Sequence, residues 1–95
     1  MMKLFVCNMG LNRSRTAAEL YGGAHAGVYS DVFPVTRDLV EKADGIYVFE
    51  KHQREFLERE FPDLMKDKKI INLDIPDFFG YHDPDLIPIL EEKLG

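Results

Sequence analysis

The feature that most limits what this chain can fold into is an alternation. Four strand-like runs are each followed by a helix-patterned segment. The runs are Leu4-Phe5-Val6, Val28-Tyr29-Ser30, Ile46-Tyr47-Val48-Phe49 and Lys69-Ile70-Ile71-Asn72-Leu73. The helical segments are Ser14 to Tyr21, Arg37 to Lys42, Glu50 to Phe61 and Leu86 to Leu94. Strands that alternate with helices favour a parallel sheet covered on both faces and joined by right-handed crossovers. The expected fold is therefore a three-layer α/β/α domain spanning residues 1–95, with a four-stranded parallel sheet.

Local signals set the boundaries. Gly22-Gly23 stops the first helix, and Ala24 to Gly27 reads as a loop. Thr36 is placed to cap a helix that buries Val35, Leu39, Val40 and Ala43 on one face. In the third helix Phe49, Phe56, Leu57, Phe61 and Leu64 make an apolar stripe, while Glu50 with Arg54 and Glu55 with Arg59 read as solvated i,i+4 pairs. Pro62-Asp63 ends that helix, and Met65 to Lys69 reads as a basic, solvent-facing turn. The last helix should bury Ile87, Leu90 and Leu94. Pro88 fits its first turn if Asp85 is the cap.

Most of the chemistry sits in the first turn. Cys7-Asn8-Met9-Gly10-Leu11-Asn12-Arg13-Ser14 joins a buried strand directly to a helix N-terminus. Loop amides and the positive end of a helix dipole form a ready anion site. The same groups, with Arg13 and the Ser14 hydroxyl, would favour the thiolate of Cys7 over its thiol. Arg13 follows six residues later and offers a planar fork for two phosphate oxygens. A thiolate beneath a cradled phosphoryl group is an in-line nucleophile that needs no metal. The competing reading of Cys7 is a buried structural thiol at a strand end.

The pattern C-x5-R-S, with its preceding strand and following Thr16-Ala17-Ala18-Glu19 helix, resembles the phosphate-binding loop of the low-molecular-weight protein tyrosine phosphatase family. Ile75-Pro76-Asp77-Phe78-Phe79-Gly80 resembles that family's general-acid loop, and Lys42 to Val48 its entry into the third strand. The resemblance implies strand order 2-1-3-4. It also implies Cys7 as nucleophile, and Arg13 with the amides of Asn8, Met9, Gly10, Leu11 and Asn12 as phosphate ligands. Ser14 would support the thiolate and Asp77 would act as general acid and then base, with Asp74 and Asp83 as the alternatives. Phe78 and Phe79 would line the mouth and stack on a phenyl ring. The implied substrate is a protein phosphotyrosine, and phosphate or vanadate would bind as anions.

The sequence departs from the family in several places. It is shorter around Ser30 to Thr36, which implies a shallower pocket. Gly10 stands where many members have a shape-holding Asn, Asn12 where some have a second cysteine, and Phe78 where a Pro usually follows the acid. Without a second thiol, oxidised Cys7 depends on an external thiol for rescue. The best match is a compact, bacterial-type branch.

Composition narrows the remaining classes. Twelve basic residues against seventeen acidic ones give a net charge of −5, which argues against binding nucleic acid or an anionic membrane. A lone cysteine permits no internal disulfide and suits a reducing cytoplasm. No apolar run reaches membrane-spanning length, and Met1-Met2-Lys3 leads straight into a strand, so no leader is expected. His25, His52 and His82 lack metal-ligand spacing, and no metal or other cofactor is expected. His82, Tyr81 and Arg15 are candidates for the pocket rim, each with a plain surface role as the alternative. An arsenate reductase is disfavoured because it needs further cysteines. A phosphatase of wider specificity and a phosphoprotein-binding module with little turnover remain as rival readings.

Overall fold

A computed structural model describes residues 2–95; the leader expectation begins at Met1, which lies outside them. The elements are β1 (Lys3–Cys7), α1 (Arg13–Tyr21), β2 (Ala24–Gly27), α2 (Arg37–Lys42), β3 (Gly45–Val48), α3 (Lys51–Glu60), α4 (Pro62–Met65), β4 (Lys69–Asn72) and α5 (Leu86–Leu94). The four strands form one parallel sheet in the order β2-β1-β3-β4, as the resemblance implied. In register, Leu4 pairs Ala24 and Ile46, while Ile46 pairs Ile70.

Strand side chains alternate between faces, and this alternation builds two cores. Phe5 and Cys7 point to one face, where α1 and α5 cover them through Ala17, Ala18, Leu86 and Leu90. Leu4, Val6, Ile46 and Val48 point to the other face, under Val40 of α2 and Leu57 of α3. Both faces of β1 are thus apolar, which is why its sequence reads as an unbroken run. No helix among the described residues is long and apolar enough to cross a membrane.

Several expectations need correction. The second strand is Ala24–Gly27, the segment read as a loop, and not Val28-Tyr29-Ser30. Ala and Gly have weak strand propensity, but packing overrides it here. A Cβ on Gly27 would lie 2.3 Å from the carbonyl carbon of Met9 and 2.5 Å from Asn8 O, so only a bare backbone fits against the first loop. Beyond β2, Val28 N donates to Cys7 O (3.0 Å) and Tyr29 N to Asn8 O (2.8 Å), which carries the pairing into that loop.

Pro62 does not only end α3; it starts the one-turn α4 at its first position. The basic turn is not wholly solvated. Lys68 Nζ donates to Glu41 O (2.7 Å) and Ala43 O (2.8 Å), carbonyls at the C-terminal end of α2. In α5 it is Leu86 that is fully buried, with Ile87 only half-buried. Asp85 makes no side-chain cap there. Asp83 begins the helix instead: its carboxylate accepts from Asp85 N at 2.9 Å and its carbonyl from Leu86 N at 3.0 Å. Thr36 caps α2 as expected, accepting from Leu39 N at 3.2 Å.

Candidate functional site

The site forms at the carboxyl ends of β1 and β3. In the order β2-β1-β3-β4 the chain leaves β1 toward β2 and leaves β3 toward β4, so a crevice opens between the two diverging connections. The loop after β1 carries Cys7 to Asn12. The segment after β3 carries Glu50, His52 and Gln53, and the loop after β4 brings Asp77 over both. A cavity of about 80 Å3 results, lined by Cys7, Asn8, Met9, Asn12, Arg13 and Asp77.

The first loop curls around the sulfur. Gly10 N donates to Cys7 Sγ at 3.2 Å, and Ser14 Oγ lies 3.0 Å from the same sulfur. Gly10 has φ +71°, and a Cβ there would meet Ala26 C and Gly27 N at 2.8 Å. This left-handed position suits glycine, so Gly10 takes the curved backbone without an Asn to hold it. His25 Nδ1 contacts Gly10 O at 2.7 Å and props the loop from β2.

Arg13 is 1% exposed, so its charge must be met inside the protein. Its Nη1 donates to Glu50 Oε2 at 2.9 Å and to Ile75 O at 2.7 Å, and its guanidinium lies 5.6 Å from the centroid of the Phe49 ring. Its Nη2 is buried and has no hydrogen-bond partner among the described residues. The nearest carboxylate oxygen, Asp77 Oδ1, is an ion-pair neighbour at 3.6 Å, too far for a hydrogen bond. One edge of the fork is therefore fixed and the other is unsatisfied, in a side chain that lines the same cavity as Cys7. A guanidinium held this way has N–H groups free to donate to an anion.

Of the three candidate acids, Asp77 alone lines this cavity. Its Oδ2 accepts from Asn8 Nδ2 at 3.1 Å. Asp74 has φ +53° and lines a separate, open groove of about 300 Å3 with Phe49, Glu50, Lys51, Ile75 and Pro76. Asp83 orders its own loop, accepting from Gly80 N and Asp85 N.

The two aromatics part company. Phe78 is 82% exposed, whereas Phe79 packs against the buried cluster of Phe5, Leu86 and Leu90. Neither is among the residues that line the cavity itself. Leu11 and Met9 are exposed on the loop. Arg15, Tyr81 and His82 form a cluster on Glu19, away from the cavity. Arg15 Nε donates to it at 3.1 Å, His82 Nε2 lies 2.9 Å from it, and the Tyr81 hydroxyl bonds it as well. These bonds, Tyr81's first and then His82's, lower the Glu19 carboxyl to about 2. The cluster ties the late loop to α1, with His82 N also donating to Thr16 Oγ1 at 2.9 Å.

Three supporting residues were not legible as such. Glu50, expected to pair with Arg54 in solvent, turns inward to Arg13, and Arg54 instead faces Glu58 at 3.7 Å. Arg59 faces Glu60 at 3.8 Å rather than Glu55. His52 and Gln53 both reach Asn8 Oδ1. Glu50 with Gln53 forms a reciprocal capping box at the start of α3. That E-x-x-Q spacing after a strand was the available signal, because a helix starting there must face the neighbouring strand ends. Among the described residues no group of three or more His, Cys, Asp or Glu is placed to hold a metal ion.

No protein-family model and no curated protein matches the sequence. Solved structures do. A YwlE mutant from Bacillus subtilis superposes with a TM-score of 0.67 and 19% identity, covering 97% of this chain and 90% of the other. The YwlE arginine phosphatase from Geobacillus stearothermophilus gives a TM-score of 0.67 and 18% identity, covering 96% and 84%. With the strand order, this similarity settles the architecture: the chain has the α/β fold of the low-molecular-weight phosphatases.

Proposed function

We propose that this chain hydrolyses phosphate monoesters through a phosphocysteine on Cys7, with protein phosphotyrosine as its substrate. The observation that carries the reading is one cavity of about 80 Å3 lined by both Cys7 and Arg13, whose buried Nη2 has no hydrogen-bond partner among the described residues. In the first step the thiolate attacks phosphorus and the bond to the leaving oxygen breaks, while Asp77 passes its proton to that oxygen. Arg13 Nη2 and the loop amides of Asn8 to Arg13 take up the equatorial oxygens, where negative charge is concentrated in the transition state. Glu50 and Ile75 O hold the guanidinium in place beforehand, so no reorganisation is needed at that moment. In the second step Asp77, now a carboxylate, takes a proton from water. The water oxygen bonds phosphorus, the S–P bond breaks, and phosphate leaves with the thiolate restored. Ser14 Oγ and Gly10 N, both on the sulfur, support the anion at each end of the cycle.

Phosphotyrosine is favoured by what surrounds the cavity. Met9, which lines the cavity, and Phe78, next in sequence to Asp77, are exposed apolar side chains suited to a flat ring. Phosphoarginine is a second reading, because one structural neighbour is an arginine phosphatase, and Asp77 is an exposed carboxylate that a guanidinium could approach.

The test is p-nitrophenyl phosphate hydrolysis with EDTA present, followed by phosphotyrosine, phosphoserine and phosphoarginine peptides. Turnover that persists in EDTA, disappears in Cys7→Ser and falls sharply in Asp77→Asn is expected, with the tyrosine peptide preferred. An inert wild type that phosphate nonetheless protects from thermal unfolding would replace the enzyme with a phosphoprotein-binding module.

A further inference from the structure

Asp77 sits on a loop with about half of its side chain in water, 52% exposed, so little packing holds it over the cavity. Among the described residues its one side-chain hydrogen bond comes from Asn8 Nδ2, at 3.1 Å. The orientation of the Asn8 amide follows from a chain of fixed donors. The backbone N–H groups of Phe49 and Glu50 both donate to Gln53 Oε1, at 2.7 and 2.9 Å. A backbone N–H can only donate, so this side of the fully buried Gln53 is its oxygen and the other is its amide nitrogen. Gln53 Nε2 points at Asn8, 3.1 Å away, so the Asn8 atom facing it is Oδ1. His52 Nε2, 2.5 Å from that same oxygen, must then also donate. Only the NH2 of Asn8 is left to face Asp77.

We infer that Asn8, locked by Gln53 and His52, is a positioning residue that decides which oxygen of Asp77 carries the proton. Asn8 Nδ2 has only hydrogens to offer, so Asp77 Oδ2 must accept, and because a carbonyl oxygen accepts better than the oxygen of a C–O–H, that bond biases the proton away from Oδ2. The proton is thereby directed to Oδ1, the oxygen 3.6 Å from Arg13 Nη2. The inference rests on the reading of Asp77 as the general acid and adds the device that aims it. The Tyr29 ring, stacked on His52 at 6.0 Å and 8°, holds the imidazole from its solvent side.

The experiment compares phenyl phosphate, whose leaving group needs the proton, with 2,4-dinitrophenyl phosphate, whose leaving group does not. Asn8→Ala should raise the ratio of dinitrophenyl to phenyl turnover on the order of tenfold. His52→Phe, which keeps the stack and loses the donor, should raise the ratio by less. His52→Gln, which can donate again, should return it toward the wild-type value. In an Asp77→Asn background, Asn8→Ala should add nothing further to the ratio. A purely structural role would slow both esters equally. Equal slowing in Asn8→Ala, with Asp77→Asn still shifting the ratio, overturns this inference and leaves Asp77 as the acid. An unchanged ratio in Asp77→Asn, or no turnover of either ester by the wild type, overturns both.

Discussion

Gly27→Ala adds one methyl group at the end of β2, far in sequence from Cys7. Gly27 has no positive φ that a side chain would strain, so the effect is purely one of space. The new Cβ would lie 2.3 Å from Met9 C and 2.5 Å from both Asn8 O and Gly10 N. Ordinary contact is about 3.5–4.0 Å, so the loop and the strand must separate by roughly 1 Å. All three neighbours are backbone, and no side chain can rotate aside. Overpacking of this kind costs about 1–3 kcal/mol. In a chain of this size that lowers Tm by about 4–8 °C for each kcal/mol. Because the displaced atoms belong to the loop around Cys7, catalysis should suffer beyond stability. A shift of about 1 Å at a reacting group costs on the order of 100-fold in rate, or about 2.7 kcal/mol of barrier. The assay is p-nitrophenyl phosphate turnover well below the variant's own Tm. Gly45→Ala serves as control, because its Cβ meets only Tyr47 Cε2 at an ordinary 3.7 Å. Turnover by Gly27→Ala close to wild type, or an equal loss in Gly45→Ala, would refute the reasoning.

Other outcomes follow from the same site. Glu50→Ala removes a partner of the buried Arg13 and half of the α3 capping box, and Glu50 is 30% exposed, so the buried-pair cost is reduced by water. Thermal unfolding should show a loss of about 1–3 kcal/mol, partly restored by inorganic phosphate at Nη2; an unchanged Tm would contradict it. Ser14→Ala leaves the sulfur with the Gly10 amide, and iodoacetamide should alkylate Cys7 about three- to tenfold more slowly at fixed pH, an unchanged rate counting against Ser14 as a thiolate partner. Glu19 has a folded-state value of about 2 against 4.5, so it binds fewer protons folded than unfolded across that interval. Its contribution is complete above about 4.5 and is lost as pH falls through about 2. Tyr81→Phe removes the largest cause, so carboxyl NMR should find Glu19 titrating at higher pH, and a titration identical to wild type would show that the hydroxyl is not the cause.

The order of elements and the closeness of Cys7 and Arg13 were legible because their signals are local. An apolar run buried on both sides marks β1 wherever it occurs, and C-x5-R-S ties a thiol and a guanidinium to one short turn whose span leaves few conformations. That Asp77, and not Asp74 or Asp83, lines the cavity was suggested in the sequence only by resemblance to an acid loop, since nothing local separates the three. What the tertiary structure alone decided is which residues face the crevice between β1 and β3. Ala24–Gly27 is a strand because bare backbone is needed beside the loop, a demand made by residues about seventeen positions earlier and invisible to strand propensity. Glu50, His52 and Gln53 look like a solvated helix start because their charge and spacing suit one. They turn inward because the sheet order sets the beginning of α3 against Asn8 and Arg13, and a buried guanidinium and a buried amide must find partners there. Sequence spacing reports neighbours along one element. Burial and hydrogen-bond satisfaction are settled between elements, after the sheet has brought distant segments to one edge.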